Sequence, residues 1–224
     1  MKKVALLTLT LFLGLIACKN DTKPVKAKTE TKIVAKTDNA KFGIDASSNP
    51  QGLAVGSTAP NVTLNLADGT TQNLADLYKN QTVVLFFYRA YWCPVCNKHL
   101  SAFAKEAGKL KAEGVKLIAI TPETNENIGK TREQTGIKFT IVSDADDSIL
   151  KAFKVDFKVT DTYQQMIQDR LNASIAKTNA NGEAVLPVPA TFIIDKAGTI
   201  VYRQFDPNYK NRAGVDEILA HLPK

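Results

Sequence analysis

Cysteine, histidine and long apolar runs are all scarce in this chain of 224 residues, and each scarcity removes a class of function. Three cysteines, Cys18, Cys93 and Cys96, and two histidines, His99 and His221, are the whole stock of sulfur and imidazole ligands. Cys93, Cys96 and His99 are spaced to share one helix face, but a fourth ligand is not evident, because His221 falls in the last helical segment. Haem attachment is excluded by spacing, since Asn97 and not histidine follows the second cysteine. No metal and no other cofactor is therefore expected. No apolar stretch reaches the roughly 20 residues of a membrane span, and no internal repeat is visible.

A basic surface is missing as well. The formal net charge is +7, but Lys2 and Lys3 supply +2, and seven lysines against Asp21, Glu30 and Asp38 in residues 19–41 supply +4. Residues 42–224 keep only +1, so no nucleic-acid partner is expected. What the first 50 residues do contain is a leader pattern. Two lysines precede the apolar stretch from Val4 to Ala17, which reads as a secretory signal. It closes on Leu15-Ile16-Ala17-Cys18, which resembles a bacterial lipobox. That resemblance implies a signal peptide over residues 1–17 and lipidation of Cys18. Residues 18–50 then read as a flexible Lys/Thr-rich tether, and residues 51–224 as one domain. The expected location is the bacterial cell envelope, with the protein held at the membrane by its lipid and facing the periplasm or the exterior. An ordinary signal peptide with an incidental cysteine is the alternative.

With Cys18 set aside, Cys93 and Cys96 are the only redox cysteines, and any intramolecular disulfide must join them. A bridge over two intervening residues closes too small a loop to stabilise much, so a purely structural role is disfavoured. The apolar run Thr82–Tyr88 delivers Cys93-Pro94-Val95-Cys96 to the start of a helical pattern. There, free backbone N–H groups and the helix dipole favour thiolate. Thiolate is the attacking species in disulfide exchange and in peroxide reduction.

The rest of the domain alternates strand and helix, which predicts an α/β fold with a central sheet flanked by helices. A strand at 82–88 leads to a helix from Pro94 to Gly114, then a buried strand at Val115–Thr121 and a helix at Asn125–Thr135. A short strand at Phe139–Val142 and a helix at Ser148–Phe153 follow. Thr162–Ile175 has helical content, and Thr178–Val188 reads as a loop or short hairpin around Asn181-Gly182. Ala190–Asp195 and Thr199–Gln204 flank Lys196-Ala197-Gly198 as a hairpin, and Val215–Leu222 closes the chain as a helix.

Three ordered stretches carry a family resemblance. They are Phe87-Tyr88-Arg89-Ala90-Tyr91-Trp92-Cys93-Pro94-Val95-Cys96, Leu186-Pro187-Val188-Pro189-Ala190-Thr191-Phe192-Ile193-Ile194-Asp195, and Asp206-Pro207-Asn208-Tyr209 with Arg212. Residues 53–222 resemble the peroxiredoxin-like group of the AhpC/TSA superfamily, which implies a thioredoxin-like fold. It also implies a thiol oxidoreductase cycling Cys93 and Cys96 between dithiol and disulfide, with hydroperoxide as first substrate and a thioredoxin-like or membrane reductase as thiol donor.

Two catalytic templates compete within that resemblance. The peroxiredoxin motif Pro-x-x-x-Thr-x-x-Cys places Arg89 at its Pro, Cys93 at its Thr and Cys96 as attacking thiol, with Cys93 resolving the sulfenic acid. The Thr hydroxyl is lost, and Pro189 and Ala190 stand where a later arginine is usual, so the activating cation must be Arg89, Arg203 or Arg212. The reductase template makes Cys93 the nucleophile against protein disulfides, Cys96 the resolving thiol and Pro189 a cis-proline facing the dithiol. The buried acid of thioredoxin is replaced by Phe87. A non-enzymatic module, metal-binding or inert, is the third reading. Trp92 reads equally as a shield over the dithiol or as packing, Phe103 and Leu110 as core, and Tyr209 with Arg212 as a loop anchor.

Overall fold

The computed structural model describes residues 39–66 and 68–224. The leader, Cys18 and the tether up to residue 38 lie outside the described residues. Residues 39–50 do not continue that tether. Asn39–Phe42 form a 3-10 turn, Ile44 is 3% exposed and bridges Val159, and the Gln51 and Gly52 amides bond the Lys154 carbonyl. Residues 39–50 thus belong with the domain rather than with the tether. Ile44 supplies the apolar burial that the polar residues around it conceal.

A small hairpin of β1 (Thr63–Asn65) and β2 (Thr71–Asn73) and a five-residue helix α1 (Leu74–Tyr78) come next. β3 (Val83–Phe87) follows, and all five of its residues are buried, as a strand covered on both faces requires. Its pleat turns Val84 and Phe86 to one face and Val83, Leu85 and Phe87 to the other.

The first face is covered by α2 (Pro94–Ala112), α3 (Asn125–Thr135) and α7 (Val215–Ala220). Burying Phe86 and Phe103 against each other there contributes about 2–3 kcal/mol each. The second face is covered by α1 and α4 (Ser148–Ala152), where Phe87 meets Phe153 and Phe192.

β4 (Lys116–Thr121) and β5 (Thr140–Ser143) run parallel beside β3. β8 (Ala190–Ile194) and β9 (Ile200–Phe205) add two antiparallel strands on its other side. The sheet order is β5-β4-β3-β8-β9, the mixed sheet flanked by helices that the alternating pattern predicts. The limits of α3 match the sequence expectation because both ends carry a stop signal. Thr124 Oγ1 accepts the Asn127 N–H, and Gly136 takes a left-handed φ of 73°.

The segment between β5 and β8 differs from expectation. Val185–Pro187 (β7) is not half of a local hairpin around Asn181-Gly182. It pairs with β6 (Asp156–Lys158), almost 30 positions earlier, and the two enclose α5 (Asp161–Leu171) and α6 (Ile175–Thr178). Among the described residues there is no cis peptide, so Pro189 is trans. The Val188 amide bonds the Val155 carbonyl, and the chain runs extended from β7 into β8, which keeps the X–Pro bond in the form its local chemistry prefers by about 0.5–1 kcal/mol.

Candidate active site

β3 ends one residue before Tyr88 and hands the chain to a turn, Arg89–Trp92, that crosses to the start of α2. Cys93 is the N-cap of that helix, in extended conformation, and Pro94 fills the first helical position, where its missing N–H costs nothing. Cys93 Sγ accepts the Cys96 N–H at 3.1 Å, so a sulfur does the work of a capping oxygen. Both cysteines are reduced, and neither sulfur-bearing residue has exposed surface.

Each sulfur has its own guanidinium. Arg89 Nη2 donates to Cys93 Sγ at 3.1 Å, and Arg212 Nη2 donates to Cys96 Sγ at 3.3 Å. Arg203, the third candidate cation, is turned away to the Gln51 and Leu53 carbonyls. Arg89 is 3% exposed and is held on several sides. Its Nη1 donates to the Tyr163 hydroxyl at 2.6 Å, its guanidinium carbon lies 3.7 Å from the Tyr209 ring centre, and Trp92 lies 5.5 Å away. Its Nε has no hydrogen-bond partner. Gly43 lies so close that a Cβ there would stand 2.6 Å from the Tyr163 ring, and its φ of 87° suits glycine. This contact packs the start of the domain against the residue that holds Arg89.

The two thiols titrate as a pair. Burial opposes charge on Cys96, but the hydrogen bond from Cys93 and the charges of Arg212 and Arg89 outweigh it and carry that thiol well below the usual range. Burial, with the hydrogen bond to Cys96 and the charge on it, pushes Cys93 up against the same two arginines. Negative charge on the pair is therefore favoured at Cys96 over Cys93. Burial and the field of Arg212 pull the His99 imidazole below its usual value, so it is neutral.

The other singled-out residues fall into place around this pair. Trp92 is buried and donates from Nε1 to the Thr178 hydroxyl at 3.3 Å, so it roofs the turn and ties it to α6. Pro189 is buried at the entrance to β8, with no contact that assigns it a role in the chemistry. Tyr209 and Arg212 do anchor their loop, through an Arg212 Nε bond to the Tyr209 carbonyl at 2.8 Å, and they also reach the centre itself. His99 donates from Nε2 to the Ala213 carbonyl at 2.8 Å and packs on Phe103, so it braces the loop that carries Arg212 instead of joining the cysteines as a metal ligand. Among the described residues no group of three or more histidine, cysteine or acidic side chains is set to hold a metal. His221 stacks on Tyr202, away from the dithiol.

Sequence reasoning passed over two residues. Tyr163 lies in the segment with the weakest pattern, 74 positions from Arg89. Glu123 follows a buried strand, where a charged residue reads as solvated loop, yet it has no exposed surface and its Oε1 accepts the Tyr91 N–H at 2.8 Å.

Comparison with known proteins agrees with this geometry. The model of the AhpC/TSA family matches residues 55–203. A Mycobacterium tuberculosis protein assigned to the peroxiredoxins is 28% identical over 154 residues, covering 69% of this chain and 86% of its own. The thiol-disulfide oxidoreductase ResA of Geobacillus thermodenitrificans is 28% identical over 149 residues, covering 66% and 67%. Among solved structures, peroxidoxin BcpB from M. tuberculosis superposes with a TM-score of 0.59 at 21% identity, over 75% of this chain and 96% of its own. The fold is thus thioredoxin-like, as the sequence resemblance implied.

Proposed function

Because this chain belongs to the AhpC/TSA family and is a thiol-dependent oxidoreductase, we propose that it reduces hydroperoxides through a cycle between Cys93 and Cys96. The observation that carries this reading is the pairing of two wholly buried sulfurs with two guanidinium groups. A molecule built around two oxygens needs only side-chain motion to reach such a centre. A folded protein substrate needs the roof of Trp92, Tyr163 and Tyr209 removed.

The steps balance with the groups present. The Cys96 thiolate attacks one peroxide oxygen, so the S–O bond forms as the O–O bond breaks, and the departing alkoxide or hydroxide takes the Cys93 proton. The Cys93 thiolate then attacks Cys96 Sγ, forming the disulfide and expelling hydroxide, which solvent protonates. The N–H of Arg89 Nε that lacks a partner is a donor available to the developing oxyanion, and Arg212 faces the attacking sulfur. A dithiol donor, thioredoxin-like or a membrane reductase, returns the disulfide to two thiols.

The test is the second-order rate at which reduced protein loses thiols to hydrogen peroxide, compared with a free small thiol at equal pH and followed by intact mass. A rate far above the free thiol, ending in a Cys93–Cys96 disulfide, supports the proposal. A rate no better redirects the scaffold to protein disulfides. That second reading draws on the N-cap position of Cys93.

The same proposal extends to location. The leader pattern and Leu15-Ile16-Ala17-Cys18 support export, lipidation of Cys18 and attachment to the bacterial envelope membrane. No helix among the described residues is long and apolar enough to cross a membrane. Cys18→Ala is expected to move the protein from the membrane fraction to the soluble fraction.

A further inference from the structure

Glu123 stands two residues past β4 with no exposed surface, and no lysine or arginine pairs with it among the described ion pairs. A carboxylate so placed costs several kcal/mol unless hydrogen bonds replace its water. Its bonds reach the dithiol turn and α3. Oε1 accepts the Tyr91 N–H at 2.8 Å, two residues before Cys93. Oε2 lies 3.3 Å from the Thr131 hydroxyl and 3.4 Å from the Thr121 hydroxyl. Thr121 Oγ1 gives its one proton to the Arg89 carbonyl oxygen at 3.1 Å, so a proton on Glu123 Oε2, donated to Thr121 Oγ1, completes the link from Glu123 to the backbone of Arg89. Both ends of the turn Arg89–Tyr91 are therefore fastened to a single carboxyl group.

We propose that Glu123 is a positioning residue of the thiol centre: its protonated carboxyl fixes the Arg89–Tyr91 turn so that the Arg89 guanidinium meets Cys93 Sγ, and ionisation slackens that hold. This rests on the reading of Cys93 and Cys96 as the redox pair. A protonated carboxyl donates from one oxygen to Thr121 and accepts the Tyr91 N–H on the other, whereas the carboxylate competes with the Arg89 carbonyl for the single Thr121 proton.

The groups that face Glu123 make this switch fall near neutral pH. Tyr88 approaches from just past β3, Cys96 from α2 and Lys130 from α3. From β5 the neighbouring Asp144 turns its carboxylate to the Ile149 and Leu150 amides, and after α6 the bridging residue Asn179 carries no titratable group. Burial pushes the Glu123 carboxyl up to about 7, against the Tyr91 amide, and negative charge on Cys96 pushes in the same upward direction. Ionisation of Glu123 and ionisation of Cys96 are thus coupled.

Thiolate absorbance measured from pH 5 to pH 9 on the reduced, full-length protein tests this without any peroxide. The unmodified protein should show a second step near neutral pH beyond that of Cys96. Glu123→Gln keeps an oxygen for the Tyr91 amide and removes the titration, so its curve should show one step only. Glu123→Ala loses the hold and should need about one pH unit more to form the same thiolate, a tenfold loss near the midpoint. A Glu123→Gln curve that keeps both steps, or a Glu123→Ala curve that overlays the unmodified one, overturns the proposal. If Glu123→Ala does not fold, the Gln variant alone decides. A failure to form the Cys93–Cys96 disulfide with any oxidant would sink the redox reading instead, and it is read separately by mass.

Discussion

The two sulfurs share one turn of α2, yet their surroundings are built in opposite ways. The Cys93 half grows out of the central strand. Arg89 follows β3 directly, is 3% exposed, and is packed among Tyr163, Tyr209 and Trp92. The Cys96 half depends on a loop between β9 and α7. There Arg212 is only half-buried and is held by one bond to the Tyr209 carbonyl, with His99 bracing the next residue. Fewer buried contacts mean a lower cost of local opening. Charge on Cys96 thus draws on both halves, Arg212 from the loop and Arg89 from the strand, whereas the less buried loop side is the easier to open.

The sharpest test of this division is to delete each sulfur in turn. Cys96→Ser should lower the rate with hydrogen peroxide by at least about 1,000-fold, since no thiolate of depressed pKa remains to attack. Cys93→Ser should still react, and intact mass should show one added oxygen on Cys96 with no disulfide. The reverse pattern would move the nucleophile to the strand side and break the comparison.

Stability against pH should report the strand side alone. The Glu123 carboxyl titrates at about 7 in the folded chain against 4.5 for the free group. The folded state then binds more protons than the unfolded state between these values, so the Glu123 contribution is fully present below pH 4.5. It is lost as pH rises through 7, by up to about 3 kcal/mol. Denaturant unfolding at pH 5 and pH 8 should show Glu123→Gln gaining stability relative to the unmodified protein at the higher pH only. An equal difference at both values would mean that the carboxyl is already ionised at pH 5.

The arginines should rank in the same order. A charge-assisted hydrogen bond is worth about 1.5–3 kcal/mol. Arg89→Met, which also unpairs Tyr163, is therefore expected to lower the peroxide rate about 100-fold at pH 7. Arg212→Met should cost about tenfold, because Arg212 is only half-buried and solvent can take part of its place. Equal losses would show that the two halves are equally rigid. The smallest effect belongs to Tyr163→Phe, which removes one bond to Arg89 and should lower stability by about 1.5 kcal/mol, read as a shift of the urea midpoint at unchanged slope.

Legibility followed the length and strength of the local signal. β3, α2, β4 and α3 could be read nearly to the residue because an apolar run, a first-turn proline, a threonine cap and a terminal glycine each act over a few positions. The hairpin of β1 and β2 went unread because only Leu64 of its six residues is buried, so no alternation marks it. β6 and β7 are three residues each and owe their pairing to partners almost 30 positions away, which no window of sequence contains. That residues 39–50 belong with the domain followed from packing against distant segments.

The candidate site divides along the same line. The sequence by itself determined the dithiol, its place at a helix start after a buried strand, and the arginine just before it, because covalent spacing fixes what lies within one turn. The tertiary structure was needed to show that Arg212 and not Arg203 faces Cys96, that Tyr163 holds Arg89, and that the buried Glu123 carboxyl holds the Tyr91 amide two residues before Cys93. Those choices depend on which loops the closed sheet brings together, and on the cost of burying charge, which is settled only when every partner is in place.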